Sequence, residues 1–185
     1  MRKRLLLLTG NPGVGKTTLL LRIVETVRSN GYSVGGMVSR EVRSCGARVG
    51  FELLDLSSSK HGWLAHVNQS SGPSVGRYRV NMHDLERFGA EAIINAIHNC
   101  DAIFIDEVGP MELLSERFEE AAKKAVESEK LVIGIVHWKA RNVLIEEMRR
   151  REDAETYVVT SENREGLREI VVSKIIETLR ENETK

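Results

Sequence analysis

Apolar residues along this chain repeat at two periods, and the places where one period gives way to the other outline the elements. Arg4 to Thr9 is a short unbroken apolar run ended by Gly10-Asn11-Pro12-Gly13, the pattern of a strand covered on both faces. Gly15 to Ser29 then reads as a helix: Leu19, Leu20, Ile23, Val24 and Val27 keep helical spacing, and Asn30-Gly31 supplies the stop. Ser33–Glu41 and Arg48–Leu56 read as strands around a turn at Cys45-Gly46, so a β-hairpin is expected. From 57 to 81 the pattern thins to strand-like pieces at Trp63–Val67 and Arg77–Val80, whose order is not readable.

Periodicity returns at Met82, where Leu85, Phe88, Ile93, Ala96 and Ile97 suit a helix. Strands are expected at Asp101–Asp106, Leu131–Val136 and Thr156–Val159, and helices at Leu113–Ser128, Ala140–Arg151 and Glu165–Glu181. Strands alternating with helices imply an α/β fold with a doubly wound, mostly parallel sheet. The 185 residues contain no repeat or Pro-rich linker. One domain spanning 1–185 is therefore expected, with a small β insertion at about 42–81.

Composition removes several classes of function. Lys plus Arg and Asp plus Glu are 27 each, and the net charge of zero offers no global field for nucleic acid or an anionic membrane. Cys45 and Cys100 are too few for a disulfide framework, which points to a reducing cytoplasm. Met1-Arg2-Lys3-Arg4 before Leu5–Leu8 imitates a secretion leader, but the apolar run stops at Gly10, short of the roughly 7–15 residues a leader uses. No apolar stretch is long enough to span a bilayer. No nucleic acid or membrane partner is expected, and a monomer is the expected state.

The chemistry is carried first by Gly10-Asn11-Pro12-Gly13-Val14-Gly15-Lys16-Thr17, which fills the pattern G-x-x-x-x-G-K-[ST] and is followed by Thr18. A polyphosphate needs successive backbone N–H groups turned inward, and glycines at 13 and 15 permit the dihedrals and the close approach. The helix that follows adds its positive end. In this pattern Lys16 serves the β and γ phosphates and the Thr17 hydroxyl ligates Mg²⁺.

A second signal is Ile103-Phe104-Ile105-Asp106-Glu107, an apolar strand ending in two adjacent acids. At the C-terminal end of a parallel strand Asp106 would hold Mg²⁺, and Glu107 would orient or deprotonate a water. Arginines matter because the transition state spreads charge over equatorial phosphate oxygens. Arg40, Arg43 and Arg48 cluster on the expected hairpin, and Arg164 follows the last strand. His137-Trp138 ends the strand Leu131–Val136, where a polar group could sense a γ-phosphate and an indole could stack on a base.

These residues resemble the cancer-related, or thermophile-type, nucleoside-triphosphatase family of P-loop proteins nearly end to end. The likeness rests on Leu8 to Thr18, on Glu41-Val42-Arg43 with Gly46 and Arg48–Phe51, on Ile105–Leu113 and on Glu162-Asn163-Arg164. It implies a RecA-like fold and base-tolerant hydrolysis of ATP, GTP, CTP and UTP to diphosphate and phosphate. Lys16, Glu107, Arg43 and Arg48 are the catalytic candidates, Thr17 and Asp106 the metal ligands. Residues 10–18, Ile105, Asp106, Glu107 and Arg164 would form the nucleotide site. Pro110 stands where the resemblance expects lysine, and His137-Trp138 where it expects a small-residue turn. A small nucleotide or metabolite kinase shares the size and the loop, with 42–81 as a candidate lid, and a regulatory nucleotide-binding module is a further reading. A GTPase switch is disfavoured: Val159–Asn163 stands where Asn-Lys-x-Asp would read the base.

Overall fold

The computed structural model describes residues 3–183. The first apolar run forms β1 (Leu5–Thr9), followed by α1 (Lys16–Ser29). The hairpin is longer than the sequence pattern suggests: β2 (Val34–Ser44) and β3 (Ala47–Asp55) flank the Cys45-Gly46 turn. The segment that could not be ordered supplies β4 (His61–His66), β5 (Ser74–Val75) and β6 (Tyr78–Val80).

A helical stretch then runs from α2 (Met82–Asp84) through a π-helical turn at Leu85–Ala90 into α3 (Glu91–Asn99). Asn81 caps it, its side chain accepting from Asp84 N at 3.1 Å. The remaining elements are β7 (Ala102–Val108), a 3₁₀ turn at Glu112–Leu114, α4 (Glu116–Glu127), β8 (Leu131–Val136), α5 (Val143–Arg150), β9 (Ala154–Val158) and α6 (Arg164–Glu183).

The nine strands of the described residues join one sheet in the order β5-β6-β4-β3-β2-β7-β8-β1-β9. From β2 to β9 every pairing is parallel, and from β2 outward to β5 every pairing is antiparallel. The insertion is therefore no separate hairpin. It extends the same sheet, because β2 runs on past its last pairing with β7, Met37 to Ile105, and offers that free length to β3.

Alternation along β1 shows how the core is built. Leu5 and Leu7 face α3, α4 and α5, packing with Ile93, Phe118 and Ile145. Leu6 and Leu8 face α1 and α6, packing with Leu20, Ile23 and Val171. All four leucines are fully buried, each contributing about 1.5–3 kcal/mol relative to exposure. A strand anchored on both faces gives the loop that leaves its C-terminal end a fixed point of departure.

Candidate active site

The loop from Gly10 to Gly15 turns the chain from β1 into α1. Gly10, Gly13 and Gly15 have φ of 146°, 80° and 91°, conformations that side chains rarely adopt. Gly10 is also sterically obligatory, since a Cβ there would run into the Val159 backbone carbonyl, whereas one on Gly15 would press on the Arg164 guanidinium and displace it. Asn11, Pro12, Gly13 and Thr18 are exposed, Val14 is partly buried, and Lys16 and Thr17 begin α1 partly buried. Lys16 Nζ donates to the carbonyls of Gly10 at 2.9 Å and Asn11 at 3.0 Å, so the ammonium is held over the loop.

The two acids reach this loop by a route the sequence does not show. β7 is not β1's neighbour, for β8 lies between them. Strand alternation alone would send Asp106 and Glu107 to opposite faces. Instead Ile105 pairs with Gly134 and Val108 with Val136, three steps on β7 against two on β8. The extra residue is a β-bulge. Ile105 and Val108 both pack in the core on the α3/α4/α5 face, so the bulge confines Asp106 and Glu107 to the short stretch between them. Ile105 thus contributes backbone and core, its side chain being fully buried.

Asp106 is 2% exposed, and burial pushes its carboxyl up to about 7; Thr17 beside it and the Lys16 charge oppose the shift, and Glu107 adds to it. Its Oδ2 is buried without a hydrogen-bond partner. Burial likewise raises Glu107, with Lys16 opposing. A third acid belongs here that sequence reasoning passed over. Glu112 is 5% exposed, and a Cβ on Gly109 would lie 2.7 Å from Glu107 Oε1 and 3.2 Å from Glu112 Oε2. Burial first, then the charges of Glu107 and Asp106, push Glu112 up to about 8 against the N–H groups of Glu112 and Gly109. The Met111-Glu112-Leu113 block carried the only sequence signal for it.

His137, one residue past β8, stands between the loop and the acids. Its N–H donates to the Val108 carbonyl at 3.1 Å, and Nδ1 accepts from Lys139 N at 3.3 Å, which leaves the proton on Nε2. Burial, Lys16 and Arg149 lower its pKa and keep the ring neutral. Trp138 is 37% exposed.

The hairpin arginines are held elsewhere. Arg43 Nε donates to Glu41 Oε1 at 2.5 Å, and Arg48 Nη1 to Glu41 Oε2 at 2.7 Å. Arg48 Nε also donates to the Tyr78 hydroxyl at 3.0 Å, and its guanidinium lies 5.3 Å from the Phe51 ring centre. Among the described contacts none joins Arg43 or Arg48 to the phosphate loop. Arg164, by contrast, lies on it, with Nη1 3.5 Å from the Val14 carbonyl.

A metal can be tested against these groups. The unpartnered Oδ2 of Asp106 beside the Thr17 hydroxyl is a hard oxygen pair of the kind Mg²⁺ accepts. Among the described residues no three His, Cys, Asp or Glu side chains form a metal cage. Mg²⁺ commonly rests on one or two protein oxygens and completes its shell with substrate phosphates and water.

A glycine-rich loop between a strand and a helix, with an acidic strand two positions away in a parallel sheet, defines a P-loop nucleoside-triphosphatase fold. A family profile described as NTPase matches residues 5–181. The chain is 43% identical over 162 residues to the nucleoside-triphosphatase THEP1 of Thermofilum pendens, covering 87% of this chain and 89% of the relative. To THEP1 of Methanosarcina acetivorans it is 41% identical over 172 residues, covering 92% and 96%. The crystal structure of THEP1 from the hyperthermophile Aquifex aeolicus superposes with a TM-score of 0.83 at 29% identity, over 92% of this chain and 98% of that one. The solution structure of a human cancer-related nucleoside triphosphatase does so with 0.77 at 32% identity, over 94% and 96%. The chain belongs to this THEP1 family of nucleoside-triphosphatases.

Proposed function

We infer that the chain hydrolyses nucleoside triphosphates to diphosphate and phosphate with Mg²⁺, accepting several bases. The observation that carries this reading is the bulge in β7, which delivers a metal-binding acid and a second acid together beside Lys16 and Thr17. The loop amides and the N-terminus of α1 bind the phosphates. Lys16 exchanges the Gly10 and Asn11 carbonyls for β and γ oxygens. Thr17 and Asp106 would hold Mg²⁺, whose charge offsets that building on the phosphates.

Glu107 orients the attacking water and takes its proton. Burial makes its carboxylate a stronger base, and the Lys16 charge opposes that shift. As the water oxygen bonds to the γ phosphorus, the bond to the bridging oxygen breaks, and Lys16 and the loop amides receive the charge left on the diphosphate. The Nε2–H of His137 adds a neutral donor on the γ side.

Base tolerance follows from the absence of a base-reading motif in Val159–Asn163: discrimination within about tenfold corresponds to roughly 1.4 kcal/mol. Among the described residues no helix is long and apolar enough to cross a membrane, and Cys45 and Cys100 are free thiols, as a reducing cytoplasm would keep them. The test is phosphate release from each of the four triphosphates with and without Mg²⁺, repeated with nucleosides and nucleotides as acceptors. Release from all four that stops on chelation is the expected result. Activity confined to GTP, or transfer to an acceptor in place of release, would overturn the reading.

A further inference from the structure

Arg43 and Arg48 are tied to Glu41, whereas Arg164 is an arginine applied directly to the phosphate loop. It is the first residue of α6, and its guanidinium fills the space that a side chain at position 15 would need. Its Nε is buried without a hydrogen bond, lying 3.8 Å from Glu165 Oε1, and 34% of the side chain remains exposed. One part of this cation is seated against the loop while another remains open to solvent.

The topology says which part of the nucleotide that is. Asp106, Glu107 and His137 fix the γ-phosphate end on the side of β1 toward β8 and β7. A triphosphate lying along the loop then directs its nucleoside to the opposite side of β1, where β9 ends and α6 begins. The groups there that could read a base edge are already engaged. Asn163 Oδ1 accepts from Thr160 N at 2.8 Å, its Nδ2 donates to the Val158 carbonyl at 2.8 Å, and Thr160 Oγ1 accepts from Asn163 N at 3.2 Å. A planar cation is what remains.

We propose that Arg164 is the nucleoside-binding residue of the site, its guanidinium stacking on the face of the base and binding purines and pyrimidines alike. Every base has a π face, so stacking on Arg recognises a nucleoside without reading its edge. Lysine offers no plane to stack on. The same contact makes glycine at 15 a requirement of nucleoside binding as well as of phosphate binding. The inference rests on the hydrolase reading for the direction in which the nucleotide lies.

The experiment compares the unaltered chain, Arg164→Ala and Arg164→Lys in KM and kcat for ATP, GTP, CTP and UTP. Inorganic tripolyphosphate, which has no base, serves as a competitor. Both variants should raise KM about tenfold for the purine and about threefold for the pyrimidine nucleotides, with kcat moving less than threefold. The inhibition constant of tripolyphosphate should stay within about twofold, which also shows that the loop is intact in the variants. Four results would overturn the proposal: a fall in kcat at constant KM, which places Arg164 on the transition state; equal weakening of tripolyphosphate, which makes it a phosphate contact; rescue by lysine, which makes its charge sufficient; or no change. If the unaltered chain releases no phosphate from any triphosphate, the hydrolase reading has failed by itself. Calorimetric affinities of the same five ligands for the three proteins then decide the role of Arg164 on the same criteria.

Discussion

The two halves of the sheet treat charge in opposite ways. At the C-terminal edge of the parallel half, Asp106, Glu107 and Glu112 are drawn into the interior, Asp106 Oδ2 has no partner, and all three carboxyls are shifted upward by burial. On the antiparallel arm the single carboxylate of Glu41 receives both Arg43 and Arg48, and against some desolvation those hydrogen bonds hold it below its ordinary range. The arm's charges are exposed and satisfied by one another. The carboxyls of the edge are buried, Glu112 against backbone N–H groups and Asp106 with one oxygen left without a partner. Leaving a buried charge unpaired costs stability, so the fold tolerates it where binding repairs it.

That contrast breaks most sharply at the loop. Lys16→Ala should reduce phosphate release by about 10³-fold or more and weaken triphosphate binding, because its ammonium, held over the loop, brings a full positive charge to the β and γ oxygens. Glu107→Gln keeps size and shape but cannot take a proton, so turnover should fall by about 10²–10⁴-fold while ATP–Mg²⁺ binding stays within about threefold. An intact nucleotide complex isolated from that variant would confirm the split. Equal turnover by variant and unaltered chain would remove Glu107 from the chemistry.

Asp106→Asn tests the orphaned oxygen. It removes the anionic ligand and leaves a neutral one, so half-maximal activity should need about tenfold more Mg²⁺ or beyond. A Mg²⁺ titration of phosphate release checks this, and an unchanged midpoint would place the cation elsewhere.

Glu112 provides a pH dependence with a definite sign. Its carboxyl titrates at 4.5 when unperturbed and at about 8 in the folded chain. Between those values the folded state keeps a proton that the unfolded state has lost. The stabilisation is whole below about pH 4.5 and is lost as pH rises toward 8. Glu112→Gln cannot titrate. Its melting temperature should therefore gain on that of the unaltered chain by about 10 °C between pH 5 and pH 8.5, at roughly 2–4 °C per kcal/mol for a chain of this size. A difference that stays flat with pH would show that Glu112 is ionised throughout.

The smallest effect is expected on the arm. Arg43→Ala and Arg48→Ala should each change turnover by less than about threefold, since Glu41 must release either guanidinium before it could serve a phosphate. A loss beyond tenfold at constant KM would bring the arm into the active site and end the contrast between the two halves of the sheet.

Most of this site is written locally. Gly10 to Thr17 is legible because a phosphate loop is made by neighbouring amides and the start of the next helix, and none of that needs a distant partner. Asp106 and Glu107 were legible as the polar end of an apolar strand. The segment 57–81 was not: β5 is two residues and β6 three, too short for a period to declare itself, and the pair joins the sheet only through β4, where Ala65 meets Val80 and His66 meets Arg79.

The sequence by itself determined the alternation of strands and helices, the loop, its lysine and threonine, and the two acids, because each is a property of a contiguous segment. Only the tertiary structure decided that β8 stands between the loop and the acids, that a bulge against β8 keeps Asp106 and Glu107 together, and that Glu112 is buried beside them. It also decided that Arg164, rather than Arg43 or Arg48, rests on the loop. The physical reason is common to all four. Hydrogen-bond register between strands and the burial of a charge are set by what lies opposite in space, and the partners here are as distant as Gly15 and Arg164.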